Sequence, residues 1–149
     1  MAQTLIYAGR PERLLAYLID KLVLFFTAQL LMMLAGVGIL AVFLIFLSQI
    51  FYHLYFTAGN WQATPAQRLL GIHVAHADGG RAPLRDVMER VLVFIMPELP
   101  LYTSLLVTDD KITLATALFF LWFAPILFTA QRTGLHDYLS TTRVVVGKA

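Results

Sequence analysis

Among the ionisable residues inside or at the margins of otherwise apolar stretches, five could carry chemistry: Arg13, Asp20, Arg90, Glu98 and Asp137. A carboxylate among apolar neighbours must be paired, protonated or hydrated. The first state makes a structural brace, and the other two make a proton- or cation-exchanging site. Arg13 and Asp20 are seven positions apart, almost two helical turns, so a helix places both on one face with Tyr17 between them. Their Cα atoms are then about 10 Å apart along the axis, too far for an easy direct bond. Each needs a partner from another segment, and Arg90 and Asp137 are the candidates. Two readings stay open: an ion or proton pathway built by Arg13, Asp20, Arg90 and Asp137, or an ion-paired brace that fixes helix packing and anchors the tail.

Glu98 stands between Pro97 and Pro100. The prolines free nearby carbonyls from helical donors, and a carboxylate beside them can bind a cation or carry a proton. Alternatively the helix ends near Pro97 and Glu98 meets water at the outer surface. Lys21, one residue after Asp20, points about 100° away around a helix and is expected to snorkel toward the headgroups, with pairing to an acid on another helix as the alternative. His73 and His76 are three apart on an expected strand, so they face opposite sides and make no metal pair. His136 beside Asp137 is a proton relay or a satisfied interface contact, and His53 belongs to an aromatic cluster. There is no nucleophile–base pair and no phosphate-binding glycine loop. Enzyme activity, metal and organic cofactors are not expected.

The elements that position these groups must be membrane elements. Of the 149 residues, 59% are hydrophobic and 13% charged, against roughly 45–50% and ~25% in soluble proteins. A chain this short cannot hide so much apolar surface in one globule, so lipid is its solvent. A net charge of +2, scattered along the chain, argues against nucleic-acid binding. Cysteine is absent, which removes disulfides and thiolate metal sites.

The first apolar stretch, Leu14 to Phe56, is too long for one span and reads as two helices, Leu14–Leu34 and Ile39–Phe56, joined at Ala35-Gly36-Val37-Gly38. The first helix is expected to stay as an anchor, because it is longer than a signal peptide and lacks a small-residue cleavage site. Phe51 to Phe56 and Trp61 form an aromatic belt at the exit of helix two. Thr57–Pro83 is the extended polar section. Within it Leu70, Ile72 and Val74 alternate like a short strand before the turn Asp78-Gly79-Gly80. Pro83 suits the first position of the next helix. Leu84 to Leu92 is amphipathic and leads into helix three, Val91–Val107, which should kink or break at its prolines. Ile112–Ala130 reads as helix four, with Pro125 a kink candidate, and Thr142–Val146 as a strand. With an even number of spans, one side holds Arg10, Arg13, Arg68, Arg81, Arg85, Arg90, Arg132, Arg143 and Lys148, and the other only Lys111. Both termini are therefore expected in the cytoplasm, where the two strands can pair.

Three blocks make the chain resemble the RDD family of small bacterial membrane proteins, named for an arginine and two aspartates. They are Arg13-Leu14-Leu15-Ala16-Tyr17-Leu18-Ile19-Asp20, then Ala63 to Val74 with Ala77-Asp78-Gly79-Gly80 and Arg90, and Gly134 to Thr142 with Asp137. Ala66-Gln67 stands where the family often has glycine then lysine, and Ser140-Thr141 replaces a small Ala-Gly pair. The resemblance implies a membrane-embedded multi-helix domain. It also offers ion movement, with sodium–proton exchange, as a lead.

The resulting expectation is one domain over residues 1–149 with an all-α membrane fold: a polytopic bundle of four spans with a small cytoplasmic β cap from the central loop and the tail. It sits in the bacterial cytoplasmic membrane, with the lipid bilayer and further copies or membrane-complex subunits as partners. It is either a transporter of a monovalent cation, proton or small solute using its intramembrane carboxylates, or a non-catalytic accessory subunit.

Overall fold

A computed structural model describes residues 5–99 and 134–147 of the chain. Two long helices open it. Helix α1 spans Arg10–Ala35, beginning four residues earlier than the apolar pattern indicates, because Pro11 and Glu12 suit a first helical turn. It stops at Gly36, whose φ of 75° only glycine adopts readily. Helix α2 spans Ile39–Ala58.

The two helices turn their large apolar side chains outward. Leu14, Leu18, Leu22, Phe25 and Phe26 on α1, and Leu40, Phe43, Leu47, Phe51 and Tyr55 on α2, are all exposed. The inward face of α1 carries Ala16, Asp20, Leu24 and Ala28, one residue per turn, with its alanines allowing close approach. The inward face of α2 includes Gln49, His53 and Thr57. Apolar outside and partly polar inside is the arrangement lipid favours and water opposes.

The polar section holds more structure than its composition signals. Helix α3 is Pro65–Leu69, closed by a capping box in which Thr64 Oγ1 accepts from Gln67 N–H at 3.3 Å and Gln67 Oε1 accepts from Thr64 N–H at 3.0 Å. Strand β1, Ile72–His76, follows. Helix α4 is Leu84–Ile95, with Pro83 as its N-cap rather than its first residue. A single 3₁₀ turn, Met96–Glu98, then breaks the helix at Pro97, as a residue without an N–H should. The expected continuation to Val107, and helix four with Pro125, lie outside the described residues. Helix α5, Leu135–Leu139, and strand β2, Thr142–Val146, are the last of the described elements.

β1 and β2 pair antiparallel, with Val74 opposite Val144 at the centre. Those residues are 70 positions apart, and so are Pro65 and Leu135 at the starts of α3 and α5. The turns between helix and strand match too: Leu70 and Ser140 both have φ of −89°, and Gly71 (67°) and Thr141 (53°) both have positive φ. The α3–β1 and α5–β2 units are thus related by a local two-fold through the centre of the strand pair. Tyr7, three residues before α1, bridges Val145, while Arg81, three residues before α4, bridges Ala75. Each lead-in covers part of an outer strand edge, which shortens the edge open to another chain.

A β-branched residue at positive φ is strained, whereas glycine there is not. Thr141→Gly is therefore expected to raise stability by about 1 kcal/mol, and Gly71→Ala to lower it by about as much, in unfolding of the detergent-solubilised protein.

Candidate functional site

Among the described residues, two ion-paired groups occupy the interior. The first lies under the strand pair. The Asp137 carboxylate, completely buried, accepts from Arg13 Nη2 and from Gly134 N–H (3.1 Å) on Oδ2, and pairs with Arg90 Nη1 on Oδ1. Arg90 also donates to Thr142 Oγ1 at 3.2 Å, and Ser140 Oγ lies 2.8 Å from the same oxygen. One carboxylate at the third position of α5 thus caps that helix and ties it to α1 and α4. His136, also buried, lies 3.4 Å from Asp137 Oδ1 through Nε2 and packs its ring 5.0 Å from Phe94. Burial first, and then the guanidiniums of Arg90 and Arg13, hold His136 neutral by pulling its pKa well below the usual histidine value.

Asp20 joins neither arginine. Its carboxylate accepts from Thr64 Oγ1 (2.5 Å), Tyr52 O–H (2.6 Å) and Ala66 N–H (3.3 Å). Asp20 therefore sits on the N-terminal end of α3 and locks that helix to α1 and α2. Ala66 and Gln67, which depart from glycine–lysine, serve this joint: Ala66 supplies the N–H and Gln67 closes the capping box.

The second group lies deeper along α1. Lys21 Nζ pairs with Glu98 Oε1 and donates to Gln49 Oε1 at 2.8 Å. Lys21 stands eleven residues into α1, about 17 Å along its axis. The snorkelling expectation for Lys21 is overturned, since its ammonium turns inward to a buried acid instead of outward to headgroups. Glu98, 3% exposed, comes to rest inside the protein because the 3₁₀ turn at Pro97 swings it toward α1. Phe94 separates the two groups: its ring lies 6.0 Å from those of Tyr17 and 5.0 Å from those of His53 and His136.

A family model for the RDD family matches residues 7–141. The chain belongs to the RDD family. It is a membrane protein of that family, mostly helical, with α1 and α2 long and apolar enough to cross a bilayer. No curated protein and no solved structure matches it.

Of the five candidates in this RDD chain, Arg13, Arg90 and Asp137 meet, Asp20 is held separately, and Glu98 joins Lys21. Sequence reasoning missed Tyr52 and Thr64 as partners of Asp20 and Gln49 as a partner of Lys21, whereas pairing of Lys21 with an acid from another helix was one of its two readings. Gln49, His53 and Thr57, spaced four apart in an apolar helix, were the available signal. The remaining histidines are dispersed. His73 Nδ1 meets Gly147 O at 3.0 Å, and His76 faces Asp78 at 2.9 Å. At the exit of α2, Phe56 stacks on Trp61 at 5.5 Å and Arg68 lies 4.2 Å over Trp61.

Asp137→Asn leaves two buried guanidiniums without their shared counter-charge and is expected to lower stability by about 3–5 kcal/mol in detergent unfolding. His136 gives a separate pH signature. The unfolded imidazole binds a proton below about pH 6.5 and the folded one does not, so stability is unaffected by this group above that pH. Below it, stability falls with pH by up to about 1.4 kcal/mol per unit. His136→Gln should flatten that slope in denaturation midpoints measured between about pH 7 and 5.

Proposed function

We propose that this RDD protein translocates protons or monovalent cations across the bacterial cytoplasmic membrane, with Glu98 and Asp20 as the exchanging carboxylates. The observation that carries the reading is the Lys21–Glu98 pair, its acid buried and its ammonium partly so, well along α1 and beside the helix break at Pro97. An ionisable pair far inside an apolar bundle is a functional candidate by default, and broken helices are where membrane transporters place ion sites. The arrangement we propose has four spans, with both termini and the strand pair in the cytoplasm, as the side bias of the arginines favours. The protein acts as a homo-oligomer or within a membrane complex, since four helices alone rarely enclose a path. Its chemistry is ion exchange and not enzymatic.

The second reading is a non-catalytic accessory subunit. The Arg13–Asp137–Arg90 cluster favours it, because that cluster fastens the α5–β2 unit to α1 and α4 as a rigid docking surface would require. Proteoliposomes loaded with a pH-sensitive dye separate the two. The transporter shows cation-dependent proton flux that Glu98→Gln reduces by about tenfold or more with the protein still folded. Wild-type protein with no flux, recovered with partner subunits in gentle detergent, supports the accessory reading instead.

A further inference from the structure

Gln49, His53 and Thr57 follow at four-residue intervals along α2, and all three are buried. That spacing stacks them on one face of the helix. At one end of the stripe, Gln49 accepts from Lys21 Nζ, which in turn pairs with Glu98. One turn away, the His53 ring packs 5.0 Å from Phe94, with Lys21 of α1 and Arg90 of α4 within electrostatic range. His136 of α5 packs on the same Phe94 ring at the same distance and is itself within electrostatic range of His53. His53 is 7% exposed, and its Nε2 has no hydrogen-bond partner among the described residues. Buried polar atoms without a protein partner are where ordered water resides when other polar groups are near.

We infer that His53 is a proton-relay residue whose Nε2 meets water and passes protons to the Lys21–Glu98 pair. The inference rests on the translocation reading and adds a route to it. A hydronium gives its proton to His53 Nε2 and becomes water. The imidazolium then passes one proton through a second water to Glu98, whose carboxylate becomes a neutral acid. Lys21 loses its counter-charge in that step, which couples proton arrival to release of the ion pair. At each transfer one O–H or N–H bond breaks as another forms, and the net change is hydronium to water and Glu98 carboxylate to carboxylic acid. A neutral imidazole with one accepting nitrogen suits this role, because it can take and return a proton without leaving the chain.

The test uses full-length protein labelled with ¹⁵N-histidine in bilayers. Solid-state NMR reads contact between water and the His53 ring, and proteoliposomes prepared in parallel read proton uptake. The expected result is a water-to-imidazole signal in the wild type that disappears in His53→Gln, together with uptake reduced about tenfold or more in that variant. Glutamine keeps a hydrogen-bonding side chain but cannot be protonated, so a merely structural His53 would leave uptake intact. A dry His53 ring in the wild type, or full uptake in His53→Gln, overturns the relay while wild-type uptake leaves the translocation reading standing. Absence of uptake by the wild type overturns both. The wild-type spectrum decides the relay's water contact even if His53→Gln does not fold.

Discussion

Charge neutrality in a low-dielectric interior governs how this chain folds. Three cations, Arg13, Lys21 and Arg90, and three carboxylates, Asp20, Glu98 and Asp137, lie in the described interior. Their formal charges cancel. Moving any one of them out of water without a partner is opposed by several kcal/mol or more. Each is therefore an instruction about which segment must lie beside which. Asp137 takes two arginines and an N–H, which joins α5 to α1 and α4. Asp20 takes two hydroxyls and an N–H, which joins α3 to α1 and α2. Lys21 and Glu98 join α1 to the turn after α4. Apolar contact cannot supply this selectivity in lipid, where the surroundings of a helix are as apolar as the next helix.

The two aspartates do matching work on matching units. In both halves a carboxylate sits at the N-terminal end of a five-residue helix that leads through one positive-φ residue into a five-residue strand. The source of the carboxylate differs. α3 receives it from Asp20 on α1, while α5 carries its own in Asp137 and receives arginines from α1 and α4. The segments that lead into α1 and α4 cover part of both outer edges of the strand pair. The paired units share one register centred on Val74 and Val144, and α1 is fastened to them through the Arg13–Asp137 ion pair and the hydrogen bonds of Asp20.

Much of this was legible from residue types. The break at Gly36, the β-branched run Thr142–Val146 and the helix break at Pro97 each follow from a local conformational rule. α3 and α5 were not legible, because five residues cover less than two turns and show no periodicity. The internal two-fold was hidden for a related reason: across the two strands only Val74 and Val144 at the centre carry the same residue at matching positions. Lys21 was misassigned because a long flexible stem is compatible with either the headgroups or an interior acid. Only the turn that brings Glu98 inward decides between them. Gln49 and Tyr52 looked like ordinary members of an apolar helix until the facing charges were placed.

The interior charges depend on one another, and that dependence is measurable. A double-mutant cycle on Lys21 and Glu98, using Lys21→Met, Glu98→Met and the double variant in lipid nanodiscs, measures it directly. Each single substitution is expected to destabilise strongly, the double variant to recover most of the loss, and the coupling to reach about 2 kcal/mol or more. Losses that simply add to within about 0.5 kcal/mol would contradict it.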